Sequence, residues 1–178
     1  TAMVARRVGE KDQPGAAVAA IQSIYIGIGA AFVMSLIGFI FYKDILQLMG
    51  APEAVIAVGS GYTRWMFGGN FTIVMLFLIN AIFRGAGNAA IAMRSLWIAN
   101  LLNMALDPLL IFGWGPVPAM GVEGAAIATN IGRGAGVLYQ LFYFAGEKGI
   151  IKIHKENIKV DWDIILRLLK VSIGGTGQ

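Results

Sequence analysis

The sequence predicts an all-α, polytopic membrane protein. Of its 178 residues, 57% are hydrophobic and 13% are charged, and the mean hydropathy is +0.71. A soluble domain is about 45–50% apolar and about 25% charged, so this chain has too few charges to cover a water-exposed surface. Four long apolar segments and an uneven distribution of charge between the loops complete the prediction. Together these observations argue strongly against a water-soluble enzyme.

Each of the four apolar segments is long enough to cross a bilayer as a helix, which takes about 20 residues. They cover approximately residues 15–42, 55–83, 95–113 and 124–146. The first contains no charged residue, and the other three contain Arg64, Asp107 and Arg133 respectively. We assign residues 1–146 to one transmembrane unit, 147–163 to a polar cytoplasmic loop and 164–178 to the start of a further membrane helix.

Basic residues lie on alternate loops and predict the orientation of the spans. Eleven of them precede the first span, separate the second from the third or follow the fourth, against about one on the other two loops. They are Arg6, Arg7, Lys11, Arg84, Arg94, Lys148, Lys152, Lys155, Lys159, Arg167 and Lys170. Because basic loops stay inside, we expect both chain ends to face the cytoplasm, with the spans in the plasma (inner) membrane. These residues then set topology, and we expect no nucleic-acid partner.

A stripe of polar side chains follows one face of the third predicted span. Asp107 lies about six residues from its outer end, or ~9 Å deep at 1.5 Å per residue. Asn103 and Asn100 precede it at helical spacing on the same face. An ionisable group in hydrocarbon costs at least ~2.5–3.5 kcal/mol, so Asp107 calls for a functional explanation.

The fourth predicted span carries a second polar stripe at a similar depth. Thr129 and Arg133 are four residues apart, and Asn130 lies beside them. A short loop joins the third and fourth spans, so we expect them to be antiparallel neighbours whose stripes face each other. Arg133 then either pairs with Asp107 or lines a cavity, and Asn130 is a further candidate for such a cavity.

The residue types in these stripes suit a coupling ion. Carboxylate, amide and hydroxyl oxygens are hard ligands, so Asp107, Asn103 and Thr129 would accept Na+ or relay a proton. If Arg133 pairs with Asp107, the carboxylate stays ionised and proton coupling is disfavoured. In the alternative interpretation, Asn100, Asn103 and Thr129 are interhelical hydrogen-bonding residues worth about 0.6 kcal/mol each. With no Cys and one His in the sequence, we expect no other metal or cofactor.

Five segments, in order along almost the whole chain, resemble the multidrug and toxic compound extrusion (MATE) family. They are Thr1–Gly9, Met49-Gly50-Ala51-Pro52-Glu53, Phe83-Arg84-Gly85-Ala86-Gly87-Asn88, Asn103-x-x-x-Asp107-Pro108 and Gly121–Thr129. Family proteins have twelve helices in two six-helix lobes, and they export cationic or amphipathic compounds in exchange for Na+ or H+. The resemblance therefore implies a secondary active antiporter working by alternating access.

The same resemblance implies how this chain relates to the whole protein. It places here four complete transmembrane helices of the six-helix amino-terminal lobe, plus the start of the next helix. It assigns Asn103 and Asp107 to the helix-five part of an ion site and Thr129 to its helix-six part, with a helix-one acid outside this chain. The implied partners are the lipid bilayer, small cationic or amphipathic substrates and the remainder of the same polypeptide. The first residue is Thr1 rather than Met, so we interpret the chain as an internal fragment.

Three other functions remain open on the sequence. A lipid-linked oligosaccharide flippase of the same superfamily would place several basic residues in its cavity, and only Arg133 lies deep here. An intramembrane prenyltransferase or aspartyl protease would need more than one acid within the spans, and only Asp107 is present. A scaffold without transport activity would have no reason to keep Asp107 in lipid.

Overall fold

The computed structural model describes residues 2–145, 162–166, 168 and 170. Between residues 2 and 145, seven helices follow one another: α1 (Ala2–Gly9), α2 (Gln13–Ile40), α3 (Tyr42–Leu48), α4 (Glu53–Gly68), α5 (Asn70–Gly85), α6 (Ala89–Phe112) and α7 (Gly121–Ala145). The β-type backbone pairing among the described residues is one isolated antiparallel bridge, between Trp114 and Val117. The predicted all-α class is confirmed.

Asp12 holds the tight turn between α1 and α2. Its Oδ1 accepts the Gly15 amide at 3.0 Å, and its Oδ2 lies 3.1 Å from Arg7 Nη1. Pro14 follows in the first turn of α2, where its missing N–H costs no helical hydrogen bond. The helix therefore begins at Gln13, slightly before the predicted span.

Two helices in the described residues, α2 and α6, are long and apolar enough to cross a membrane. The segment predicted as one span over 55–83 consists of two helices, α4 and α5, which meet that criterion together and are bent by 43° at Gly69. The fourth predicted span is a helix, α7, of 25 residues. Polar residues such as Asn130, Arg133 and Gln140 lower its mean hydropathy, so it is not among the helices that meet the criterion for crossing a membrane.

Helix α6 extends beyond the predicted third span. Helix α6 begins at Ala89, before the predicted start at residue 95, because the Asn88 side chain caps it by accepting the Ile91 amide. Arg94 therefore lies in the helix and not in the loop between the second and third spans. The predicted cytoplasmic loop (147–163) and next helix (164–178) lie largely outside the described residues, although 162–166 are helical.

The buried core is concentrated at the end of the bundle that carries the basic loops. It combines α1 with the first half of α2, the second half of α5, the first half of α6 and the end of α7. At the opposite end, α2 exposes a run of large apolar side chains, including Phe32, Leu36, Ile37 and Ile40. Such a surface is stable against lipid or against other helices of a membrane protein.

Small residues allow α7 to pack closely against α6. Gly124, Ala128, Gly132 and Gly136 recur every four residues on one face of α7. A Cβ at Gly132 would lie 2.6 Å from the Ala99 carbonyl oxygen, and one at Gly136 would lie 3.0 Å from that of Ser95. Any larger side chain would separate the helices, so this face determines which polar groups of α6 and α7 meet.

Candidate ion-binding site

Asn103 links the two predicted polar stripes. Its Nδ2 donates to Asp107 Oδ1 at 3.1 Å on the same helix, and to Thr129 Oγ1 at 3.2 Å on α7. The Thr129 hydroxyl in turn donates to the Ala125 carbonyl at 2.8 Å. All three side chains are half-buried. The expectation that the stripes of the third and fourth spans face each other is met at these residues.

Arg133 does not form an ion pair with Asp107. The ion pairs among the described residues join Arg6 to Glu10 and Arg7 to Asp12, both at the opposite end of the molecule from Asp107. Among the described residues, the Asp107 carboxylate therefore accepts a hydrogen bond from the Asn103 amide and forms no ion pair with a basic side chain. Asn100, the third member of the α6 stripe, is exposed and makes no such hydrogen bond.

Asn130 contacts the α4–α5 bend and not the Asp107 group. Its Nδ2 donates to the Trp65 carbonyl at 2.8 Å, and its Oδ1 lies 3.4 Å from Thr72 Oγ1. The Asn130 side chain also fills the space where a Cβ at Gly69 would lie. A glycine at the bend thus makes room for a side chain of α7, which supplies a polar partner where the helix is interrupted.

A cavity of about 750 Å³ opens between α2, α4 and α7, and Asn130 lies in its wall. Arg133, the other residue considered for a cavity on this helix, is not part of the wall. Arg64 lies over the Phe39 ring in the same cavity, with 4.5 Å between its Cζ and the ring centroid. Glu123, in the first turn of α7, accepts the Trp65 indole N–H at 2.6 Å.

A second polar group, fully buried, was not identified from the sequence. Asn80 on α5, Ser95 on α6 and Gln140 on α7 each have no exposed surface. Asn80 Oδ1 accepts from Ser95 Oγ at 2.9 Å and from Gln140 Nε2 at 2.6 Å, and Gln140 Nε2 also lies 2.9 Å from Ser95 Oγ. Each of the three apolar segments contains several polar residues, so the sequence does not indicate which of them pair without the helix contacts.

Long apolar helices, with hydrogen-bonded polar side chains between two of them, are typical of membrane transport proteins. The MatE family model matches residues 1–109, and the chain belongs to this family. Among curated relatives, the probable multidrug resistance protein YoeA of Bacillus subtilis is 33% identical over 144 residues, covering 79% of this chain and 31% of YoeA. The multidrug export protein MepA of Staphylococcus aureus is 27% identical over 170 residues, covering 96% of this chain and 37% of MepA.

Solved structures share the same fold. One described as an inward-facing conformation of a multidrug resistance MATE family transporter of the MOP superfamily has a TM-score of 0.85 at 26% identity, covering 97% of this chain and 38% of its own. A MOP superfamily transporter from Pyrococcus furiosus has a TM-score of 0.82 at 28% identity, covering 93% and 36%. The chain therefore spans about a third to two-fifths of these proteins, and its seven described helices are part of a polytopic membrane fold.

Proposed function

We propose that this chain is part of a secondary active antiporter that exports cationic or amphipathic compounds in exchange for Na+ or H+. Family membership and the multidrug names of YoeA and MepA support export as the activity. The observation that carries the coupling proposal is the Asn103 amide between Asp107 and Thr129 on two closely packed helices. No enzymatic role is proposed, because this polar group contains a single carboxylate.

The coupling ion would act on this hydrogen-bonded bridge. A Na+ ion at Asp107 would compete with the positively polarised Asn103 Nδ2, so the amide must turn and present its oxygen to the ion. The bond from Asn103 to Thr129 would then break, and the ion would take its place between α6 and α7. Protonation of Asp107 would weaken the same bridge by removing the charge that Asn103 stabilises. Either event changes how the two helices are held, which is the coupling that alternating access requires.

Orientation and location complete the proposal. Basic residues at the core end of the bundle would face the cytoplasm, so Asp107, at the other end of α6, would lie in the outer half of the plasma membrane. The flippase alternative gains no support, because Arg64 is the one basic side chain among the described residues that line the cavity, whereas a pyrophosphate group would call for several. The exported compounds and the other helices of the protein would be its partners.

Efflux of a fluorescent cationic dye from cells tests the proposal in the native, full-length protein. We expect Asp107→Asn to abolish Na+- or pH-dependent efflux while the protein still inserts normally, and the dependence in the wild type would identify the ion. Asp44→Asn, an exposed acid on α3, is the matched control and should transport as the wild type does. Unchanged efflux in Asp107→Asn would move coupling elsewhere in the protein.

A further inference from the structure

The cavity between α2, α4 and α7 contains one positive and one negative side chain that do not pair with each other. Arg64 is held over the Phe39 ring, and Glu123 is held by the Trp65 indole N–H. No ion pair within the described residues joins Arg64 to Glu123. Both charges are therefore fixed in position by neutral aromatic neighbours, and both remain available to a ligand in the cavity.

The cavity lies at the end of the bundle opposite the basic loops. Phe39 is next to the last residue of α2, and Glu123 is in the first turn of α7. Below these two groups, the cavity wall continues along α2 through Leu36 and Phe32, which are 49% and 64% exposed. A polar mouth above an open apolar wall matches the division of a phospholipid into head group and acyl chain.

We propose that this cavity binds a zwitterionic phospholipid from the leaflet opposite the basic loops. Arg64 would donate to the phosphate and Glu123 would accept from the ammonium group, while the acyl chain follows Leu36 and Phe32. The presence of both charges selects the ligand: Arg64 disfavours a purely cationic compound, and Glu123 disfavours an anionic lipid. This site is separate from the Asn103–Asp107–Thr129 group, so it does not depend on the antiport proposal.

Native mass spectrometry of the full-length protein with added phosphatidylethanolamine or phosphatidylglycerol tests the inference directly. We expect the wild type to retain phosphatidylethanolamine about fivefold more strongly. Arg64→Gln should weaken that retention about fivefold, and Glu123→Gln should also remove the preference over phosphatidylglycerol. Glu53→Gln and Arg84→Gln, exposed charges outside the cavity, are matched controls that should bind as the wild type does.

A glycine pair tests the position of the carboxylate without removing a charge. A Cβ at Gly61 would lie 2.8 Å from Glu123 Oε2, whereas one at Gly59 would meet nothing within 4 Å. Gly61→Ala should therefore weaken phosphatidylethanolamine retention and Gly59→Ala should not. If variants at Arg64 or Glu123 do not fold, the fluorescence of Trp65, measured with the other tryptophans replaced by Phe, supports the site when brominated phosphatidylethanolamine quenches it more strongly than the phosphatidylglycerol analogue does.

Four results would overturn this assignment. They are equal retention of the two lipids by the wild type, equal quenching by their brominated forms, cavity variants that match their controls, and displacement of the lipid by a cationic dye at this site. The last result would assign the cavity to an exported compound.

Discussion

Gly132 of α7 faces the backbone of α6 so closely that a Cβ there would lie 2.6 Å from the Ala99 carbonyl oxygen and 3.3 Å from the Asn103 Cβ. This contact is one turn from Thr129, whose hydroxyl accepts the Asn103 amide. The closeness of the two helices at a glycine is thus what brings the polar stripes within hydrogen-bonding distance. It follows that the candidate site depends on a residue without a side chain.

Replacing Gly132 by Ala should destabilise the protein, because the added methyl group would meet the α6 backbone and force the two helices apart. We expect a cost of about 1–3 kcal/mol, as for overpacking in a core. Thermal unfolding of the purified protein in detergent measures it. The control is Gly134→Ala on the same helix, where a Cβ would meet nothing within 4 Å and helix propensity favours Ala by up to about 1 kcal/mol. Equal stability of the two variants would contradict the close-packing interpretation.

Coupling should depend on the hydroxyl group of Thr129 and not on the shape of its side chain. Thr129→Val keeps the volume but removes the hydroxyl oxygen that would bind the ion once Asn103 has turned away, so we expect ion-dependent efflux to fall about tenfold, near the loss of one good polar contact. Thr129→Ser retains the hydroxyl and should preserve most of the activity. Dye efflux at varied Na+ concentration and pH separates the two. Similar activity in both variants would mean that Thr129 is only a packing residue.

The buried group of Asn80, Ser95 and Gln140 should contribute stability rather than coupling. Gln140→Leu removes two hydrogen bonds of about 0.6 kcal/mol each, so we expect a loss of roughly 1 kcal/mol in unfolding free energy. An exposed glutamine on α3 supplies the control, since Gln47→Leu should change stability little. Combining Gln140→Leu with Asn80→Leu should cost less than the sum, because the two residues share a bond. Strict additivity would show that this bond carries no energy.

Cysteine labelling tests the orientation, and the absence of native Cys in this chain makes it practical. A membrane-impermeant maleimide should label Leu48→Cys in intact cells, because Leu48 is 90% exposed at the end of α3, away from the basic loops. Glu10→Cys, which is exposed at the basic end, should react only after permeabilisation. Any Cys elsewhere in the full-length protein is first replaced. The reverse labelling pattern would overturn the orientation and the leaflet assigned to the lipid site.

Helix content, the two polar stripes themselves and the family were accessible from the sequence because they depend on local pattern. Apolar length predicts helices, and the i, i+4 spacing of Asn103 and Asp107 places them on one face whatever surrounds them. The same pattern missed the bend at Gly69, since apolar residues continue on both sides of it and Asn130, which contacts it, is 61 positions further along the chain (130 − 69).

Contacts between helices decided what the local pattern left open about the arrangement of the polar side chains. Whether Arg133 pairs with Asp107, which cavity Asn130 lines and what Asn80 binds all depend on the rotation and separation of neighbouring helices. Those quantities follow from small residues such as Gly132 and Gly136, whose effect is visible only when the opposing backbone is in place. The spacing of residues along one helix determines which side chains share a face. The packing of helices that are distant in the sequence determines which of those side chains come into contact.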